Sequence, residues 1–176
     1  MARVFIGLGS NINPEQNVRQ ALRLLGRAVR IVALSTFYRA QAEGPPGQPP
    51  FYNGVAQVET DIPPGRLKHS VLRRIEEELG RQRTEDKYAP RTIDLDVLLY
   101  DDLVVAEEGL RIPHPQIAQR AFLAIPLQEL APELTLPNSG RPIAEIAAAL
   151  AHHKMEPLGD YTEVLRKEME DGSRQG

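Results

Sequence analysis

An arginine and two aspartates interrupt an otherwise apolar run, Ala89-Pro90-Arg91-Thr92-Ile93-Asp94-Leu95-Asp96-Val97-Leu98-Leu99-Tyr100. Pro90 biases the residue before it towards extended backbone. The Ile/Leu/Val-rich run after it reads as a buried strand. Side chains alternate along a strand, so Thr92, Asp94 and Asp96 share one face while Ile93, Leu95 and Val97 take the other. Alternate residues lie about 6.5–7 Å apart, a spacing from which two carboxylates can converge on one or two hard cations. Two unpaired acids on a half-buried strand are costly. A cation must compensate them, and a Mg²⁺ site holding a polyphosphate is the economical solution. The plainer alternative makes the two acids ion-pair partners of Arg91 or another arginine at a sheet edge.

Other residue types fit the same chemistry. The loop Arg81-Gln82-Arg83-Thr84-Glu85-Asp86-Lys87 reads by default as a solvated mixed-charge segment. Its place just before the acidic strand puts arginine forks, which match phosphate oxygens, within reach of a phosphate. Ile112-Pro113-His114-Pro115 fixes a histidine between prolines, as a surface turn or as a phosphate donor, since a protonated imidazole offers two N–H groups. His69, His152 and His153 read as helix residues rather than ligands. Phe51, Tyr52 and Phe122 are ordinary core candidates taken singly. With only nine Phe and Tyr in the chain, aromatics beside a Pro/Gly loop also become candidates for stacking on a flat ligand. Asn53 follows them and offers donors and acceptors to a heterocycle edge. Gly9-Ser10-Asn11 is not a phosphate loop, because G-x-x-x-x-G-K-[ST] is missing.

The elements that must carry these residues follow from pattern. Arg3 to Leu8 reads as a strand, broken by Gly9-Ser10-Asn11. Asn13 is placed to cap a helix with Pro14 and Glu15 in its first turn; Val18, Ala21, Leu22 and Leu25 form its stripe and Gly26 its end. Arg30 to Arg39 reads as one long strand. Ala42 to Pro50 is a loop with four prolines and two glycines. Tyr52 to Thr60 alternates as a strand. A helix from Pro63-Pro64-Gly65 carries Leu67, Val71, Leu72, Ile75 and Leu79 and closes at Gly80. After the acidic strand, Asp101-Asp102 turns the chain and Leu103-Val104-Val105 is expected to return as a hairpin. Leu123 to Leu130 and Pro142 to Leu150 read as helices. The order strand, helix, strand, strand, helix, strand is that of the ferredoxin-like α+β arrangement, an antiparallel sheet with helices packed on its face. Residues 1–158 are expected to form a single domain, and 159–176 a polar, loosely ordered tail.

Composition narrows the function classes. The chain has 176 residues and 41% hydrophobic residues, enough for one globular core. Its net charge of −3 argues against a general nucleic-acid binder. It contains no cysteine, so disulfides and thiolate metal sites are excluded. No segment reaches the ~18 apolar residues of a membrane span. The N-terminus lacks the layout of a signal peptide, and a cytoplasmic protein with no obligate protein partner is the expectation.

These motifs together resemble the 6-hydroxymethyl-7,8-dihydropterin pyrophosphokinase family of folate biosynthesis. The match runs from about Val4 to Leu136. It takes in Gly7-Leu8-Gly9-Ser10-Asn11, Ser35-Thr36-Phe37-Tyr38-Arg39, Phe51-Tyr52-Asn53, Arg74-Ile75-Glu76, Gly80-Arg81, Pro90-Arg91-Thr92-Ile93-Asp94-Leu95-Asp96, Pro113-His114, Arg120-Ala121-Phe122 and Pro126-Leu127. The resemblance implies pyrophosphate transfer from ATP to the pterin hydroxymethyl group, with release of AMP. It implies that Asp94 and Asp96 hold two Mg²⁺ ions on the triphosphate. Arg81, Arg83, Arg91, His114 and Arg120 would contact ATP phosphates, with Arg81 and Arg91 acting in catalysis. Glu76 would orient ATP-site side chains. Phe51 and Phe122 would sandwich the pterin, Asn53 would read its polar edge, and backbone groups around Ala40, Ala42 and Glu43 would complete its recognition. On the residues alone two other readings stay open: another two-metal nucleotide-dependent transferase, and a ferredoxin-like binding module without catalysis.

Overall fold

A computed structural model describes residues 1–174. Strand β1 (Ala2–Ser10) leads into α1 (Pro14–Ala28), followed by β2 (Arg30–Leu34), β3 (Tyr38–Ala40) and β4 (Phe51–Thr60). Helix α2 runs through Pro64–Arg66, a π-helical stretch Leu67–Leu72, and Arg73–Glu78. The acidic strand is β5 (Asp94–Tyr100). Then come β6 (Val105–Glu107), β7 (Leu110–Ile112), α3 (Ala121–Leu130), α4 (Ile143–Leu150), β8 (Met155–Pro157) and α5 (Gly159–Arg174). The main sheet is antiparallel, in the order β5-β1-β4-β3-β8, with β2 also paired to β4. Without β3 and β8 this is the split β-α-β arrangement read from the sequence.

Alternation on the strands builds two cores. Val4, Ile6 and Leu8 of β1, with Ala56 and Val58 of β4 and Leu95 and Val97 of β5, meet the apolar stripes of α1 and α2. Phe5, Val55 and Leu98 face the other way, against Leu123, Ala124 and Leu127 of α3 and Ile143, Ile146 and Ala147 of α4. The sheet is therefore covered on both faces, the second layer coming from the chain after the six-element unit.

Four local expectations change. The stretch 30–39 is two strands, because Ser35 turns inward: its Oγ accepts from the Val55 N–H and its own N–H donates to the Val55 carbonyl. α1 continues past Gly26 to Ala28. Asn13 caps nothing with its side chain; it adopts a left-handed conformation, which asparagine tolerates, and its carbonyl accepts from the Asn17 N–H at 3.0 Å. The hairpin forms between β6 and β7 across Glu108-Gly109 rather than against β5.

The largest difference lies at the C-terminus. Instead of a loose tail, Gly159–Arg174 is a helix. Tyr161, Leu165 and Met169, four residues apart, pack into the core shared with α1. The Phe37 N–H donates to buried Thr162 Oγ1 at 2.9 Å, and the Leu158 N–H to the Phe37 carbonyl at 2.8 Å. Polar residues fill its solvent side, which lowers its mean hydropathy and hides the stripe. Residues 175–176 lie outside the described residues. No helix among the described residues is long and apolar enough to cross a membrane.

Candidate active site

Strand register brings the site together. Gly9 pairs with Asn53 on β4 on one side and with Asp94 on β5 on the other. Gly7 likewise lies between Val55 and Asp96. Phe51, Asn53, Gly9, Asp94 and Asp96 therefore share the sheet face opposite α1 and α2. A side chain at Gly9 would put its Cβ 2.7 Å from Asn53 Oδ1, so glycine here is required by the neighbouring amide.

On the β5 side the charges pair with one another. Gly80, with φ +78°, ends α2 and turns the chain so that the Arg81 N–H donates to the carbonyl of Glu76 at 3.0 Å. The turn lays the Arg81 guanidinium across two carboxylates, Glu76 and Asp94; its Nη1 donates to Asp94 Oδ1 at 2.9 Å. Arg91 Nη1 donates to the other Asp94 oxygen at 2.8 Å. Arg83 Nη2 donates to Glu76 Oε1 at 2.6 Å, and the Leu95 N–H to Glu76 Oε2 at 3.1 Å. Asn11 fixes the Arg91 segment: its Oδ1 accepts from the Arg91 N–H at 2.7 Å and its N–H donates to the Arg91 carbonyl at 3.1 Å. Burial pushes the Glu76 carboxyl above its usual range, against the pull of Arg81 and the Leu95 N–H. Burial works against the Arg81 charge too, but Asp94 and Glu76 more than offset it and keep the guanidinium firmly protonated.

Asp96 is held differently. Its Oδ1 accepts from Lys68 Nζ at 2.9 Å. Burial alone would raise its pKa; Lys68 first, then His114 and Arg81, bring it below the usual carboxylate value. His114 is half-buried, and its Nδ1 accepts from the Gln116 N–H at 3.2 Å. Burial lowers its pKa more than Asp96 and Asp94 raise it. With Nδ1 accepting, the ring's Nε2 is the nitrogen left to donate to a ligand. Four side-chain cations (Lys68, Arg81, Arg83, Arg91) meet three carboxylates (Glu76, Asp94, Asp96), a surplus of one positive charge suited to a polyanion. Two buried polar atoms beside this network, Arg81 Nε and Thr92 Oγ1, have no protein partner.

The β4 side is uncharged. Asn53 is 7% exposed and its amide makes no hydrogen bond among the described residues. Ala40 on β3 pairs with Phe51, so the segment from Ala40 to Glu43 leaves the sheet beside that ring. Phe122 lies in the first turn of α3 and is half-buried against the second core. Tyr52 points to the opposite face, where it is half-buried and meets Tyr161 edge-on at 5.7 Å. Arg120 stands apart from the β5 network, in an ion pair with Glu43 at 2.8 Å. Ala42 makes no side-chain polar contact.

Two participants were missed in the sequence. Lys68 is one lysine among 21 basic residues on the polar flank of a helix, and only the fold brings it to Asp96. Asn11 did carry a signal, a polar residue ending a buried strand, but its bonds to Arg91, 80 residues on, are tertiary.

An antiparallel α+β sheet bearing paired aspartates under a cover of arginines defines a class, the enzymes that handle nucleotide polyphosphates by charge and position. Residues 5–132 match the 7,8-dihydro-6-hydroxymethylpterin-pyrophosphokinase (HPPK) family. The 2-amino-4-hydroxy-6-hydroxymethyldihydropteridine pyrophosphokinase of Haemophilus influenzae is 40% identical over 161 residues, covering 90% of this chain and 99% of its own. The enzyme of that name from Pseudomonas aeruginosa is 40% identical over 159 residues, covering 89% and 96%. Among solved structures, wild-type HPPK-DHPS of Plasmodium falciparum superposes with a TM-score of 0.66 at 14% identity, over 85% of this chain and 44% of that one, and shares the fold. The chain belongs to the HPPK family of pyrophosphokinases.

Proposed function

We propose that the protein transfers the pyrophosphoryl group of ATP to 6-hydroxymethyl-7,8-dihydropterin in folate biosynthesis. The hydroxymethyl oxygen bonds to the β-phosphorus and gives up its proton to solvent as the bond from that phosphorus to the α,β-bridging oxygen breaks, and AMP leaves. The observation that carries this reading is the register at Gly9. It sets the open amide of Asn53 and the aspartate network one strand apart on either side of β1, about 10 Å across at ordinary strand spacing. A flat heterocycle on one side can therefore present a hydroxymethyl group to a triphosphate on the other.

The donor set fits Mg²⁺. Asp94 and Asp96 are hard oxygen donors, and among the described residues no third His, Cys, Asp or Glu joins them in a protein-only cage. Water and phosphate oxygens would complete the coordination, as is usual for Mg²⁺ at nucleotide sites. When bound, Mg²⁺ neutralises triphosphate charge. Arg81, Arg83 and Arg91 bind phosphate oxygens with charge-assisted hydrogen bonds, and His114 donates one more from Nε2. Phe51 and Phe122 hold the ring, and Asn53 together with backbone from Ala40 to Glu43 reads its edge. The reaction needs no covalent nucleophile, since transfers of this kind are catalysed by positioning and charge.

Incubation with ATP, Mg²⁺ and the hydroxymethyl-dihydropterin is expected to give AMP and the pterin diphosphate in equal amounts. Release of ADP, or nucleotide turnover indifferent to the pterin, overturns the reading.

A further inference from the structure

The two aspartates are compensated by different chemistry. Both oxygens of Asp94 accept from guanidinium groups, Arg81 at 2.9 Å and Arg91 at 2.8 Å. Asp96 accepts from one ammonium, Lys68, through Oδ1 alone. A guanidinium is a rigid planar fork, whereas an ammonium is a compact charge on a flexible four-carbon stem. Arg81 and Arg91 are also tied elsewhere, to Glu76 and to the Lys87 carbonyl. Lys68 makes no second bond among the described residues, so it can leave Asp96 without dismantling the rest of the network.

Its position on α2 points the same way. Lys68 belongs to the π-helical stretch Leu67–Leu72, whose Leu67 and Leu72 are fully buried. The wider turn displaces side chains from α-helical positions, and such turns concentrate at functional sites. Here it sends a side chain from the helix layer on one face round the edge strand β5 to an acid on the other.

We propose that Lys68 is the resident counter-cation of the Asp96 metal position: it neutralises that carboxylate in the free enzyme, then releases it when Mg²⁺ and nucleotide arrive and pairs with a phosphate oxygen. The proposal rests on the assignment of Asp94 and Asp96 as metal ligands. Lys68 thereby opposes binding of the bare ion, because the two cations compete for one carboxylate, and favours binding of the metal–nucleotide complex, because the ammonium gains a new anion.

These opposite signs supply the test. Mn²⁺ binding without nucleotide is measured by electron paramagnetic resonance, and binding of the Mg²⁺ complex of a non-hydrolysable ATP analogue by calorimetry, for the wild type, Lys68→Met and Lys68→Arg. Near-UV circular dichroism reports folding. Lys68→Met is expected to bind bare Mn²⁺ about fivefold more tightly and the nucleotide complex about fivefold more weakly, the scale of one half-exposed ion pair. Lys68→Arg is expected to recover the nucleotide affinity. A purely structural role would move both affinities in one direction, and that result overturns the proposal. So does a folded Lys68→Met variant with unchanged or weaker Mn²⁺ binding. Asp94→Asn separates the two failures: if it abolishes Mn²⁺ binding, the metal assignment stands even where the Lys68 proposal falls, and if it does not, both fall.

Discussion

The two halves of the site, one strand apart, are prepared for ligand in opposite ways. On β5 the carboxylates and arginines already bind one another, and a phosphate or metal must exchange those bonds for its own. On β4 the Asn53 side chain is 7% exposed and makes no hydrogen bond among the described residues, and the rings beside it are half-buried, so under the proposed function a pterin would only have to fill the site. The charged half resembles a folded salt-bridge core, stable when empty and demanding of a strongly charged ligand. The uncharged half offers an amide that no protein group occupies among the described residues, which under the proposed function would favour a heterocycle of matching edge.

The contrast breaks most sharply at the aspartates. Asp94→Ala or Asp96→Ala is expected to reduce turnover by about a thousandfold or more in a folded protein, because each would remove a donor for the proposed ion on the triphosphate. Steady-state AMP release checks this, and full activity in a folded double variant would remove the metal from the account.

A smaller effect tests whether the charged half is a structural core. Arg81 is 12% exposed and bridges Glu76, itself 5% exposed, to Asp94. Arg81→Ala leaves buried carboxylate behind and is expected to cost about 3 kcal/mol of stability in urea denaturation without ligands. Arg83 contacts the same Glu76 but is 48% exposed, and Arg83→Ala is expected to cost under about 1 kcal/mol. Equal costs would contradict the difference drawn between the two arginines.

Changes in the uncharged half of the site are expected to act on the pterin alone. Phe122→Ala should weaken pterin binding by ~1–3 kcal/mol, the value of aromatic stacking on a base, with the nucleotide dissociation constant almost unmoved. Gly9→Ala forces its methyl against Asn53 Oδ1 and should weaken the pterin similarly. Calorimetry with each ligand separates this from misfolding, which would weaken both.

The smallest effect lies in the acid limb of stability. Burial raises the Asp96 carboxyl, but Lys68 and His114 bring it net below its usual value of 3.8. A carboxylate depressed in the fold adds stability that is present above the unfolded pKa and is lost as pH falls through the folded one. Asp96→Asn should therefore flatten the fall in Tm below about pH 4, and a melting profile as steep as the wild type's would deny Asp96 that contribution.

The sequence determined what depends on local pattern. The spacing of Asp94 and Asp96 on an alternating strand put both on one face, and the apolar stripe Leu67, Val71, Leu72, Ile75 and Leu79 marked α2. The order of strands and helices gave the ferredoxin-like sheet. The tertiary structure decided everything that depends on residues distant in the chain. Register, a relation between strands, placed Gly9 between Asn53 and Asp94. The π-helical stretch of α2 and its packing beside β5 brought Lys68 to Asp96. Burial lowered the pKa of His114, whereas its flanking prolines fixed only its backbone. Tyr161, Leu165 and Met169 became a core stripe because α1 and β2 lay ready to receive them; a stripe this narrow in a polar segment acquires its stability from the surface it meets.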